Sequence, residues 1–447
     1  MRVSSFFQLA ENQTSVRTEL LAGVTTFLSM AYILFVQPAV LVTDFAGKPT
    51  GMDAGAILLA TCLASALGTA LMGLLARYPI ALAPGMGENF FFVSVCMSLT
   101  AAGVTHAWQT ALAIVFLSGV VFMLLSLVRL REVVIESVSP SLCCGIAAGI
   151  GLFIAFIGLK NAGLIIGKPG TLVGLNTHPA GADLAVFGVG LLVAAGLQAR
   201  KVRGAILLGI LAAAAAALAL GKTHFTGLVG FPEIKTGAVW QMNLAEAFSP
   251  AALPFIAVFL FMVLFDTVGT LVGVTQQAGL LQGNKLPRAT QAFFADAAAT
   301  TVGAALGTST VTSYIESATG VQAGGRTGLT ALTVAVLFLL ALFFSPLIAM
   351  VGGYAPITAP ALVLVGALMM QAVTRVAWDD FSEAVPAFLA LLGIPLTFSI
   401  ADGIALSFVS YPVVKLLGGR AREVRWPMWV VAALLVYYFV SIRPHTG

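Results

Sequence analysis

Four carboxylic acids lie within otherwise apolar stretches of the chain: Glu88, Asp266, Asp296 and Glu316. At the centre of a membrane helix an acid costs roughly 2.5–3.5 kcal/mol on insertion scales, so such acids mark working positions. Burial disfavours the charged form of a carboxyl, which opens proton exchange near neutral pH. A carboxylate also accepts hydrogen bonds from the N–H groups of a polar solute. Asp266 stands mid-segment in Phe265-Asp-Thr-Val-Gly-Thr270, where substrate or proton chemistry outweighs a plain bond to a neighbouring helix. Glu316 sits where a half-helix starts; its alternative role is a capping carboxylate. Asp296 falls a turn or two into its helix and reads as a first-turn acid favoured by the helix dipole. Asn89 carries both a donor and an acceptor, which suits the edge of a base, or else a cap or an interhelical bond.

Two irregular segments hold these residues. The first reads Ala83-Pro-Gly-Met-Gly-Glu-Asn-Phe-Phe-Phe92. Pro84 has no N–H to donate and two glycines follow, so an extended stretch entering a half-helix at about Gly87 is expected. The second reads Gly307-Thr-Ser-Thr-Val-Thr-Ser-Tyr-Ile-Glu-Ser317. Its Thr, Val and Tyr favour extended structure. Ser313 is the expected cap of a helix beginning near Tyr314. Half-helix N-termini present free N–H groups and partial positive charge. At membrane depth such irregular backbone persists only where it lines a cavity or is buried in protein.

The elements that must position these groups are membrane helices. The 447 residues are 59% hydrophobic and 9% charged, with a mean hydropathy of +1.02. Soluble domains carry roughly 25% charged residues, so this surface must face lipid. A ruler of about 20 apolar residues reads spans near 18–42, 54–76, 107–129, 139–159, 182–199, 203–221, 253–279, 288–306, 327–345, 356–374, 384–399 and 402–417. With the short segments 80–98 and 307–323 the count is fourteen; 426–443 stays outside it. Arg2, Arg17, Arg77, Arg129, Arg131, Arg200, Lys201, Arg203, Lys285, Arg288, Arg326, Arg375, Lys415, Arg420, Arg422 and Arg425 then share one side, the cytoplasmic side by the positive-inside rule. The connection 222–252, with His224, Glu233 and Lys235, is external on this count. Residues 1–19 lack an apolar core, so no cleavable signal peptide is expected. The short segments occupy spans 3 and 10, matching places of two seven-span halves. Odd-numbered halves place the second copy upside down, and paired interrupted segments point to a transporter's binding site.

Other chemistries find little material. Cys62, Cys96, Cys143 and Cys144 lie in apolar segments and read as small buried side chains. His106, His178, His224 and His445 fall in loops or at ends, away from the deep acids. No nucleophile–base pair, metal cluster or phosphate loop is expected, which argues against a membrane-embedded enzyme or an ATP-driven pump. The net charge of +4 is too small to suggest nucleic acid.

Ala83-Pro-Gly-Met-Gly…Asn89, Phe265-Asp-Thr-Val-Gly-Thr270 and Gly307-Thr-Ser-Thr-Val-Thr-Ser-Tyr-Ile-Glu-Ser-Ala-Thr-Gly320 resemble the xanthine/uracil permease superfamily, in its AzgA-like adenine/guanine/hypoxanthine permease branch. Thr14–Gly23, Ala323–Thr330 and Ile394–Gly403 extend the resemblance over essentially the whole chain. It implies an all-α polytopic membrane protein of fourteen spans in two inverted seven-span repeats, with short strands in the interrupted spans 3 and 10. Residues 1–130 and 253–346 would form a core domain, 131–222 and 347–447 a gate domain, and 223–252 an external loop. The implied function is import of purine nucleobases by proton symport with alternating access. No cofactor or metal is implied, and a homodimer through the gate domain is. The cell membrane of a bacterium, with a cytoplasmic N-terminus, is the expected location.

By motif, the resemblance assigns Asp266 and Glu316 to the nucleobase and the proton, and Asn89 to a polar contact. Backbone groups near Phe90 and Ile315 would meet the ring edge. Glu88 departs from the pattern, standing where the branch has an apolar residue, and either faces the cavity or pairs elsewhere. An anion exchanger or channel of the same architecture is the rival reading. It should show a basic residue at the span 10 half-helix, where this chain has Glu316.

Overall fold

A computed structural model describes residues 3–127, 138–168, 172–232, 234–250, 252–280, 286–437 and 440. Arg2, Arg129, Arg131, Glu233, Lys285, His445, the 130/131 domain boundary and the end of segment 426–443 lie outside the described residues. The chain is built of helices. Their labels are α1 (Val16–Met30), α2 (Ile33–Leu41), α3 (Ala54–Leu71), α4 (Met86–Ala101), α5 (Ala107–Leu127) and α6 (Pro140–Asn161). After these come α7 (Gly181–Ala199), α8 (Ala205–Ala219), α9 (Leu253–Gln277), α10 (Ala289–Leu306), α11 (Ser317–Gln322) and α12 (Gly328–Ala341). The last are α13 (Ser345–Gly352), α14 (Ala355–Met369), α15 (Phe381–Thr397), α16 (Ile400–Leu417) and α17 (Trp426–Tyr437). Four strands complete the list: β1 (Leu82–Pro84), β2 (Ile165–Lys168), β3 (Leu172–Leu175) and β4 (Val311–Ser313).

Local chemistry sets many of the boundaries. Ser15, Asp53, Ser139, Asp380 and Ser399 each accept a first-turn N–H as N-caps. Pro140 takes the first position of α6, where its missing N–H costs nothing. Gly307 closes α10 at φ +103, a left-handed conformation that side-chain-bearing residues rarely adopt. The stretch expected as one span over 18–42 is tightened at Ala31 and Tyr32. There the N–H groups of Leu34 and Phe35 bond three residues back, at 3.2 and 3.1 Å, instead of four.

Among the described residues, nine helical stretches are long and apolar enough to cross a membrane, and α8, α15 and α17 are shorter apolar helices. The apolar side chains exposed on the outside, such as Leu192, Leu396 and Leu417, suit lipid contact. Helices α1, α3, α5, α10 and α12 pack into one group, and α6, α7, α8, α14, α15 and α16 into another. Glycine allows the closest approaches. A Cβ on Gly328 would overlap the Gly73 carbonyl, and one on Gly366 the Gly151 carbonyl.

Basic connections gather at one end. Arg326 and Thr327 donate backbone N–H to Glu19, Arg203 reaches Thr25, and Arg288 lies over the Tyr78 ring beside Arg77. Lys415, expected in a connection, is instead buried at 1% exposure between Glu383 and Glu423, at 2.8 and 2.9 Å. The hairpin β2–β3 was not expected; its Ile, Val and Leu run is short enough to be hidden between α6 and α7.

Candidate functional site

The two irregular segments meet. Strands β1 and β4 pair antiparallel, with Ala83 opposite Thr312 and Pro84 opposite Val311, and every residue of both is buried. A two-stranded ladder at this depth leaves edge groups that water cannot satisfy. Side chains satisfy them here. Thr69 both donates to the Leu82 carbonyl and accepts its N–H, Thr300 donates to the Val311 carbonyl, and Ser317 accepts the Ala81 N–H. The Tyr314 hydroxyl donates to the Pro84 carbonyl at 2.6 Å, tying one half of the crossing to the other.

From this crossing the chain enters α4 at Met86, one residue before the expected start. The second half-helix differs more. The strand continues through Ser313, residues 314–316 turn, and α11 begins only at Ser317. Ser313 does not cap a helix; its hydroxyl donates to Asp296 at 2.8 Å. The reason is strand alternation, which sends Thr312 and Ser313 to opposite faces. Thr312 donates to Asp266 at 3.0 Å. Asp296 also accepts from Thr267 and is fully buried. It is therefore not a first-turn acid facing the helix end but a bracket joining α9, α10 and β4. Glu316 holds the N-cap position of α11 without making a cap bond, and accepts instead from the Tyr32 hydroxyl at 2.8 Å.

Glu88 folds back over the crossing. Its carboxylate occupies the space a Cβ on Gly85 would need, and that same Cβ would lie 3.1 Å from the Thr312 hydroxyl. Asp266 and Asp296 are the acids that act electrostatically on Glu88, and Asp266 acts on Glu316. Asp266 and Glu88 thus flank Thr312, Asp296 lies on the opposite face of β4 at Ser313, and Glu316 follows at the start of α11. Among the described residues none of them pairs with a Lys or Arg, and no three His, Cys, Asp or Glu side chains gather as metal ligands.

Access to this group is one-sided. Phe255, Phe259, Met262, Asp266, Gly273 and Gln277 recur along one face of α9. Phe255 and Phe259 are buried, packed against Phe91 of α4 at ring distances of 6.4 and 4.5 Å. From Asp266 towards Gln277 the face opens: Asp266, Gly269 and Gln277 are exposed, and no atom lies within 4 Å of a side-chain position on Gly269. Ile315 borders this recess, 52% exposed, with its Cδ1 3.6 Å from a Cβ position on Gly273.

Of the residues singled out from sequence, Asp266, Glu316, Glu88 and Ile315 gather here. Asn89 and Phe90 point elsewhere on α4. Asn89 is buried and accepts from Ser309, which with Thr308 receives the Gln37 amide at 3.0 Å. Phe90 stacks on Phe45, ring centroids 6.1 Å apart, away from the carboxyls. Tyr32, Thr312, Tyr314 and Gln37 were missed. Tyr32 and Gln37 carried a readable signal, since a hydroxyl or amide inside an apolar run needs a buried partner.

Membrane-length helices around a buried strand crossing, with acids opening on one side of it, define an integral membrane permease. The fold is shared with the transmembrane domain of the bicarbonate transporter BicA of a cyanobacterium. The TM-score is 0.66 at 15% identity, covering 87% of this chain and 97% of that one. The chain belongs to the Xan_ur_permease permease family, whose model matches residues 17–406. It is 46% identical over 450 residues to the guanine/hypoxanthine permease PbuG of Bacillus subtilis (strain 168), covering 99% of this chain and 100% of that protein. It is 43% identical over 444 residues to the adenine permease AdeQ of Escherichia coli (strain K12), covering 98% and 96%. The chain is a permease and not an enzyme.

Proposed function

We propose that this permease imports purine nucleobases by proton symport and that the recess beside Asp266 and Glu316 is where the base binds. The observation that carries the reading is the accessible Asp266 carboxylate, held by Thr312 at the strand crossing next to Glu316. Carboxylates accept the N–H groups of a purine, and Ile315 offers an apolar edge to its flat ring. Guanine, hypoxanthine and adenine are the bases named for the relatives PbuG and AdeQ. Acids inside a membrane mark substrate and ion pathways and proton relays in transporters. An anionic substrate would meet the Asp266 and Glu316 carboxyls here and, among the described residues, no Lys or Arg paired with them, which disfavours the anion-exchanger reading despite the shared fold.

On this reading the chain forms fourteen spans as two inverted repeats, in a bacterial cell membrane, with a cytoplasmic N-terminus. Elements in equivalent places touch each other, β1 with β4 and α6 with α14, as expected near a two-fold axis. The α1–α5 and α9–α12 group is the core, the remainder the gate, and alternating access moves one against the other. The gate is also the surface for a homodimer.

The test is uptake of labelled guanine, hypoxanthine and adenine into proteoliposomes with and without an imposed proton gradient. Gradient-dependent uptake of at least one base is expected, and no purine uptake overturns the reading. Asp266→Asn and Glu316→Gln should each cut uptake at least roughly ten-fold, the scale of one hydrogen bond to a charged group, with protein in the membrane unchanged. Full transport by both variants would remove the site assignment.

A further inference from the structure

A second cavity, of about 190 Å³, lies on the other side of α4 from the recess. It is enclosed by the turn at 43–47, the ends of α2 and α6, and the start of α14. Phe90 lines it. Phe90 and Glu88 are two residues apart on one helical turn, so they face opposite ways. The cavity and the acid group are therefore separated by that single turn of α4.

The lining has two chemical parts. One is aromatic: Phe45 and Phe90 line the cavity with their rings nearly parallel at 17°, backed by Phe153, which is not part of the lining and stands edge-on to both at 5.0 and 6.3 Å. The other is polar. The Lys160 ammonium donates to the Phe45 carbonyl and lies 5.6 Å from the Phe398 ring centroid. An ammonium has three donors, so two are left for another acceptor. Asp44 uses Oδ1 to fix the turn, accepting from the N–H groups of Ala46 and Lys48 at 2.9 and 2.8 Å, and its carboxylate retains further acceptor sites.

We infer that this cavity is a capture site for the purine base on the side opposite the open recess, occupied before the base reaches Asp266. The inference rests on the functional reading above. A planar, uncharged heterocycle fits both parts of the lining. It packs alongside the stacked Phe45–Phe90 pair, its ring nitrogens or exocyclic oxygen accept from Lys160, and its N–H groups reach the Asp44 carboxylate. The closed face of α9, with Phe255 and Phe259 beside Phe91, is at its N-terminal end; the connection that precedes α9 meets the start of α3 at Lys235–Asp53, close after the 43–47 turn, so it lies at the same end of the molecule as this cavity. A base arriving from that end therefore meets Lys160 first and the acids only after the halves move.

The test compares right-side-out with inside-out membrane vesicles carrying the whole protein. For Lys160→Met, KM for labelled purine should rise roughly ten-fold, as for one lost hydrogen bond from a charged donor, when the base is offered from the side of the 43–47 turn. KM from the opposite side should stay at the unaltered value. Lys160→Arg should lie between the two, and Leu362→Trp, which fills the cavity, should reproduce the one-sided rise; it also carries the test if Lys160→Met fails to reach the membrane. A KM that shifts equally from both sides, rises only from the opposite side, or does not shift overturns the capture site while leaving purine transport standing. Absence of purine flux in the unaltered protein overturns both.

Discussion

Thr312 and Ser313 are sequence neighbours that serve different acids, and this alternation decides what each acid can do. Asp266 receives one hydroxyl and stays open to the recess, whereas Asp296 receives two, from Ser313 and Thr267, and is sealed. Asp296 is therefore a structural acid. Removing it as Asp296→Ala strands two buried hydroxyls, at about 1–3 kcal/mol each, while Asp296→Asn keeps an acceptor for one. The expected order of thermal stability in purified protein is unaltered, then Asn, then Ala; equal stability of all three would show that the bracket contributes nothing. Asp266 and Glu316 were legible because acids are rare at that depth. The separate duty of Asp296 was not, because depth alone does not say which face of a strand a partner occupies. Asn89 illustrates the same limit: its position on α4 was evident, but its direction, towards Ser309 and away from the carboxyls, depends on helix phase at a start that lies at Met86.

At the scale of elements, two glycines separate packing from function. Gly328 faces the Gly73 backbone with no room for a Cβ, so Gly328→Ala should sharply lower the amount of folded protein recovered from membranes. Gly269 faces open space, so Gly269→Leu should fold normally but narrow the recess and raise the transport KM. Comparing fluorescence-detected size exclusion with uptake for the pair checks both outcomes. Helix positions were readable from apolar length, whereas the one cap expected, Ser313, serves Asp296 instead. The late start of α11 was not readable, because the pull of β1 on residues 311–313 is a contact from over two hundred residues away. Outside the spans, the Ser382 hydroxyl and the Arg420 guanidinium hold Asp380 well below the usual carboxylate range. A carboxyl depressed in the folded state stabilises fully above its unfolded value, about 3.9, and loses that contribution as pH falls below it. The gap in thermal midpoint between the unaltered protein and Asp380→Asn should therefore be constant from pH 7 to about pH 4 and narrow steadily as pH falls further; a gap that does not narrow there would exclude the Asp380–Arg420 link as its source.

For the molecule as a whole, the scarcity of charge and the length of the apolar runs specified a membrane protein, and the family match agrees with that reading. What sequence could not supply was which end is shut. The recess opens along α9 from Asp266 towards Gln277 and is covered towards Phe255; on the alternating-access reading proposed above, this is one member of a pair of conformations. A ligand presented to the shut end binds only the fraction of molecules that have opened there, and its apparent dissociation constant is raised by that fraction. Detergent-solubilised protein, where both ends meet the same solution, would hide this difference. A membrane restores it, and an antibody fragment that bound only at the covered end, from the side of the 43–47 turn, would then act as an inhibitor without touching the base.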